Sequence, residues 1–209
     1  MQPFDTLSVF FAASLLLGLT PGPDNLFVLA QAAQRGRIAG IVVTLGLCTG
    51  ILFHTLAVAF GAAVLFSTSA LAFNLLKYLG AAYLLYLAYQ SLRAAGGASQ
   101  QVSASVLSWK RLYGRGVLMN ITNPKVSIFF LAFLPQFTDP AFGPLLPQFL
   151  LLGLLFVLST LLVFGAVSFL AGGIGACLRS SQRPERILNS AAGLVFLALA
   201  VKLALTERC

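Results

Sequence analysis

Charge is what this sequence has least of. Only 13 Lys or Arg and 5 Asp or Glu are spread over 209 residues, 9% in all, against 59% hydrophobic types. A domain folded in water carries about a quarter charged residues, because its surface must be solvated. With a mean hydropathy of +0.95, the chain reads as an integral membrane protein. One His, five acidic residues and three Cys are too few for a carboxylate cage or a Cys/His zinc cluster. Cys48 and Cys177 sit in apolar runs and read as small packing residues, and Cys209 is a terminal thiol. There is no G-x-x-x-x-G-K-[ST] loop, which excludes that route to ATP hydrolysis, and no cofactor is indicated. The net charge of +8 reads as membrane topology rather than as a nucleic-acid surface.

Long apolar runs are what the sequence has instead. A spanning helix needs about 20 apolar residues, and uninterrupted runs are not the alternating pattern of a barrel. Spans are predicted at 6–33, 38–66, 71–92, 113–136, 146–172 and 187–206. Ser67-Thr68-Ser69 is the best turn in the uncharged run from Ile38 to Leu76, and Gly172-Gly173-Ile174-Gly175 closes the run that starts at Pro140. The first span has no basic residue before Arg35 and reads as a retained helix rather than a signal peptide.

Basic residues predict the orientation. Arg35, Arg37, Arg93, Lys110, Arg111, Arg115, Arg179, Arg183 and Arg186 fall on one side of this six-span arrangement, against Lys77, Lys202 and Arg208 on the other. The richer side is expected in the cytoplasm, with both termini outside. Five spans plus a re-entrant segment is the competing arrangement, and it would separate the termini.

The two halves resemble each other. LTPGPDNLFVLA at 19–30 matches ITNPKVSIFFLA at 121–132 at Thr20/Thr122, Phe27/Phe129, Leu29/Leu131 and Ala30/Ala132. AAYLLYLA at 81–88 matches AAGLVFLA at 191–198 in five of eight positions. Residues 1–209 therefore read as one all-α, polytopic transmembrane transporter domain, with repeats at 1–93 and 113–209. A Gly-, Ala- and Ser-rich flexible connection joins them at 94–112, most marked over Ala94–Leu107. Three spans per half make the copies inverted, an architecture whose site lies near the midplane.

Each half is also interrupted at the matching place. Pro21-Gly22-Pro23 falls in span 1 and Asn123-Pro124 in span 4. Proline removes a backbone donor, and freed backbone at membrane depth must be buried in protein or line a cavity. A charge stands beside each break, Asp24 and Lys125. A charge at the bilayer centre costs about 3 kcal/mol, so the two are expected either to pair as a fastening or to form a polar pocket for a zwitterion. His54, in span 2, reads as a cross-helix hydrogen bond or as a proton carrier. The Gly36-x3-Gly40 and Gly46-x3-Gly50 spacings fit close helix packing, within the subunit or in a homo-oligomer. Tyr78, Tyr83, Tyr86 and Tyr89 read as packing or interface anchors.

GLTPGPDNLFVL (18–29), LKYLGAAYLLYLAYQSLR (76–93) and NITNPKVSIFFLAFLPQF (120–137) resemble signature segments of the LysE/RhtB family of bacterial amino-acid exporters. The resemblance runs over nearly the whole chain. It implies a multi-pass inner-membrane exporter of amino acids or related metabolites, embedded in lipid and driven by the proton-motive force. It points to Thr20, Pro21, Gly22, Pro23, Asp24 and Asn25, and to Asn123, Pro124 and Lys125, as substrate-binding positions. Asp24 and His54 are the candidates for proton coupling. The family's branch that exports basic amino acids carries an acidic residue within its second span, and Ile38–Phe66 has none. That departure favours small neutral substrates of the threonine, homoserine or leucine type over basic ones. An intramembrane enzyme would need several converging polar groups that this chain lacks, and a metal exporter would need membrane carboxylates or thiols.

Overall fold

The computed structural model describes residues 3–20, 22–68, 70–94, 107–174, 190, 193–194, 196–198, 200–201 and 204. Every regular element among them is helical. Helices α1 (Phe4–Leu19) and α2 (Pro23–Arg35) are followed by α3 (Arg37–Thr68) and α4 (Ala70–Ala94). Beyond the connection come α5 (Trp109–Ile121) and α6 (Pro124–Ile128), which continues as a π turn at Phe129–Phe133 and a 3-10 turn at Leu134–Phe137. A further 3-10 turn at Pro140–Phe142 leads into α7 (Leu145–Ile174).

By length and composition, α3 and α7 are apolar enough to cross a membrane, over Arg37–Gly61 and Leu145–Ala171. The pairs α1–α2 and α5–(Pro124–Phe137) are each apolar enough to cross once when taken together, and they bend by 63° and 49° at their breaks. The chain is thus a polytopic helical membrane protein. Ser67 and Thr68, expected in a turn, belong to α3, α4 starts at Ala70, and Ser69 lies outside the described residues. Residues 95–106 of the connection, Arg179, Arg183 and Arg186, and most of the sixth span lie outside the described residues.

The long helices α3 and α7 pack on each other, α1 and α2 lie on α7, and α5 lies on α3. Small residues permit this closeness. A Cβ on Gly46 would run into the backbone carbonyl of Tyr113, and one on Gly116 into that of Val43, so α3 and α5 touch backbone to backbone. Gly50 lies against the Asn120 side chain and Gly40 against Ser168 and Ala32. These are contacts within one subunit. Gly36 is different from the expectation for its Gly-x3-Gly spacing: it has φ +85°, nothing near its Cβ position, and forms the one-residue turn between α2 and α3. A left-handed φ at a helix C-terminus is what glycine tolerates without strain.

Two apolar clusters fill the interior. One gathers Phe10, Phe129, Phe130, Phe133, Phe137, Phe149 and Phe156, with the Phe129–Phe133 and Phe133–Phe137 ring centroids both 4.6 Å apart. The other gathers Phe27, Val28, Val43, Leu47, Leu112 and Phe164. Along α3 the second cluster ends at Leu47 and the first begins at Ile51, and Gly50 in that gap lies against Asn120 at the end of α5. The outer surface carries Leu52, Phe53, Leu56 and Phe60 of α3 and Leu150, Leu154, Leu158 and Leu162 of α7, all exposed, as a lipid solvent requires.

Basic side chains collect at one end. Arg35 lies over the Trp109 ring at 5.4 Å, Arg37 over Phe169 at 5.6 Å and Arg115 over Phe27 at 5.2 Å. The end of α2 therefore lies by the start of α5, and the start of α3 by the end of α7. In α4, Tyr78, Tyr86 and Tyr89 are exposed, while Tyr83 packs on the first cluster. Cys48 is buried, a packing residue as expected.

Close approach at Gly46 generates a test. Gly46→Ala drives a methyl into the backbone of α5 and should cost about 1–3 kcal/mol, whereas Gly165→Ala meets nothing within 4 Å. Thermal unfolding of the purified protein in detergent should show a lowered Tm for the first variant and none for the second. Equal behaviour of the two would contradict the backbone contact.

Candidate functional site

In an α-helix each carbonyl accepts from the N–H four residues on. Pro21 has no N–H, so the Leu17 carbonyl loses its helical donor; Pro124 does the same to Asn120. At membrane depth these carbonyls need replacement donors.

The replacements come from the other half of the chain. Lys125 Nζ donates to the carbonyls of Leu17 (3.2 Å) and Thr20 (3.0 Å). A cation at a helix C-terminus also meets the negative end of its dipole. Gly22 makes room for it, since a Cβ there would stand 3.2 Å from Nζ. Asn25 Nδ2 donates to the Gly18 carbonyl at 2.7 Å, and Thr20 Oγ1 turns back to Leu16 at 2.8 Å. At the second break His54 Nε2 reaches the Asn120 carbonyl at 3.2 Å. A carbonyl only accepts, so Nε2 carries the proton. Asn123 N–H shares the same carbonyl at 3.1 Å.

Asp24 and Lys125 are linked through Asn123 rather than through a direct salt bridge. Asn123 Nδ2 donates to Asp24 Oδ2 at 2.8 Å, and its Oδ1 accepts from the backbone N–H of Lys125 at 3.0 Å, capping α6. Asp24 and Asn123 are buried. Asp24 sits in the first turn of α2, where Gly22 supplies no side-chain cap, so a carboxylate is favourably placed at the positive helix end. The start of α6, by contrast, is already capped. Of the two helix starts at the breaks, that of α2 is the one without a side-chain cap.

Thr20, Gly22, Asp24, Asn25, Asn123 and Lys125 are thus brought into one hydrogen-bonded region, with Pro23 and Pro124 at the first positions of α2 and α6. Pro21 lies outside the described residues. His54 joins this region only through the Asn120 carbonyl, with its ring 5.7 Å from that of Phe130. Asn120 escaped the sequence reading, although it stands four residues before Pro124 and its carbonyl is the one that proline strands. Gln31 escaped it too. Its signal is helical spacing, two turns after Asp24.

The region is deficient in donors. Asp24 Oδ1, Asn25 Oδ1 and Asn120 Oδ1 are buried acceptors without hydrogen-bond partners. Lys125 has three N–H donors and spends two on α1. Unserved acceptors beside an open helix start and a lysine are chemically matched to a molecule bearing both an ammonium and a carboxylate. Among the described residues no group of three His, Cys, Asp or Glu is placed to hold a metal ion.

Known proteins resemble the chain over nearly its whole length. The LysE type translocator family matches residues 15–207. A homoserine/homoserine lactone efflux protein of Salmonella typhimurium is 34% identical over 201 residues, covering 96% of this chain and 97% of that one. Uncharacterized membrane proteins of Pseudomonas aeruginosa and Vibrio cholerae are 34% identical over 191 residues and 32% over 195. Those alignments cover 89% and 93% of this chain, and 88% and 94% of the relatives. No solved structure matches the chain significantly. A family match of this extent, with efflux proteins among the relatives, makes the chain a transporter rather than an enzyme. It belongs to the LysE type translocator family.

Proposed function

We propose that the chain is a secondary exporter of small neutral amino acids, of the threonine, homoserine or leucine type, working in the bacterial inner membrane by proton antiport. The observation that carries this reading is the pair of facing helix breaks, where Asp24 Oδ1 and Asn25 Oδ1 stand without donors beside Lys125. The substrate ammonium goes to Asp24 and Asn25. Its carboxylate goes to the open start of α2 at Gly22-Pro23 and to the third N–H of Lys125, with Thr20, Pro21, Asn123 and Pro124 shaping the pocket. A cationic side chain would need a second carboxylate, and Asp24 is the only acidic residue in the predicted spans. The relative named for homoserine and homoserine lactone efflux supports a neutral substrate.

The six-span, inverted-repeat arrangement is part of the proposal. It is supported by reciprocal packing: α1 of the first half lies on α7 of the second, α5 of the second lies on α3 of the first, and α3 lies on α7. A two-fold axis in the membrane plane generates this exchange. The grouping of Arg35, Arg37 and Arg115 at one end supports a cytoplasmic connection and outside termini. A reporter active only outside the cytoplasm should work when fused at Cys209 and be silent when inserted after Gly97. Activity at the inserted position would overturn the orientation.

Asp24 and His54 are the candidates for the coupling proton, from opposite ends of the Asn120–Asn123 stretch. One charge moved through 100 mV is worth about 2.3 kcal/mol, sufficient for about fiftyfold accumulation. Cells loaded with dipeptides and expressing the chain should release threonine, homoserine or leucine against a gradient, and should gain no tolerance to a toxic arginine analogue. Asp24→Asn should lower export about a hundredfold, the loss of one charged hydrogen bond and its ion pairing, while inserting at normal level. An uncoupler should stop concentrative export with ATP maintained. Normal export by Asp24→Asn removes this site, and export that survives the uncoupler removes proton coupling.

A further inference from the structure

Most buried polar side chains in this protein are served. Ser14, Thr44, Thr55 and Ser168 donate to the carbonyl four residues back, at 2.7–2.9 Å. Ser159 donates to Phe156 at 2.8 Å. Gln148 shows what a structural glutamine looks like here. Its Oε1 accepts from Asp139 N–H at 3.0 Å and its Nε2 donates to the carbonyls of Asp139 and Gly143 at 2.9 and 3.0 Å.

Unserved buried side-chain atoms, among the described residues, belong to Asp24, Asn25, Gln31 and Arg35 of α2 and to Asn120. Gln31 is the extreme case. It is 0% exposed, and neither its Nε2 nor its Oε1 has a hydrogen-bond partner. Leaving such an amide unpaired in an apolar interior is costly, and packing alone would be better served by Met or Leu. Gln31 also lies on the inward stripe of α2 that begins at Asp24 and continues through Val28. Seven residues are two turns, about 10 Å of rise on the same face. Helical side chains lean toward the N-terminus of their helix, so the reach of Gln31 is toward Asp24.

We propose that Gln31 is a specificity-determining substrate contact, taking the side-chain oxygen of the transported amino acid. This rests on the exporter reading above and extends it. The charged ends of the substrate take the charged groups at the break, and a neutral amide cannot compensate either of them. An amide does offer both donors and acceptors, which match a hydroxyl or a lactone oxygen. A four-carbon amino acid with a hydrogen bond at each end spans about 10 Å, the separation of the two turns. A site built to bond a substrate oxygen disfavours the analogue that lacks it, so Gln31 sets a preference for hydroxylated over purely aliphatic substrates.

The test uses the full chain in proteoliposomes, with homoserine and leucine export measured in parallel for wild type, Gln31→Met and Gln31→Leu, and with Tm recorded for each. Both variants remove an unpaired amide and should melt no lower than wild type. Their efficiency for homoserine relative to leucine should fall about tenfold, through a raised KM for homoserine with leucine unchanged. A parallel fall for both substrates, or an unchanged ratio, overturns the assignment of Gln31 and leaves the exporter reading standing. Wild-type vesicles that export neither substrate overturn both. If one variant fails to insert, the ratio in the other decides.

Discussion

A carbonyl at membrane depth that loses its helical donor has no water to turn to, and a proline four residues downstream removes that donor by construction. Leu17 and Asn120 are in this position, and the chain answers both from across its own middle. Lys125 of the second half closes the end of α1, and His54 of the first half closes the end of α5. Asn123 adds a third link, holding Asp24 with its amide while capping α6 with its oxygen. Each broken helix thus draws a donor from the opposite half. The rest of the fold serves that requirement: bare glycine contacts at Gly46 and Gly116 let α3 and α5 close up, and aromatic and aliphatic clusters pack the helices together.

The same economy explains where reactivity toward a ligand resides. Donors at the breaks are consumed by the backbone, and what is left over is a set of oxygens on Asp24, Asn25 and Asn120. A region rich in acceptors with a single lysine nearby favours an ammonium first and a carboxylate second. It also ties binding to the helix end, because the ammonium that serves Leu17 and Thr20 with two of its N–H groups offers the third to a substrate carboxylate. Ligand binding and helix-end closure then draw on the same side chain.

Much of the architecture was legible from composition. Uncharged runs delimit α3 and α7, and a proline opens the helix after each bend, Pro23 in α2 and Pro124 in α6. The partners were not legible. Asp24 and Lys125 suggest a salt bridge by charge alone, and Asn123 intervenes because its amide can serve a carboxylate and a helix N-terminus at once. Gly36 matches a packing spacing, yet its place at the end of α2 makes it a turn. Gln31 was invisible because a polar residue near a basic helix end reads as solvated, and only the packing of α2 against α3 and α7 buries it. The π turn at Phe129–Phe133 likewise follows from packing, with four of its five side chains buried.

The cross-closure of the breaks is most directly tested by a double-mutant cycle on thermal stability, pairing His54→Leu with Pro124→Ala. Alone, His54→Leu strips a donor from the Asn120 carbonyl and should cost about 1 kcal/mol. Alanine at 124 restores the N–H that the proline lacks, so in that background the same His54 substitution should cost little, giving a clear coupling energy. Strictly additive effects would contradict the claim that His54 stands in for the donor that Pro124 removes.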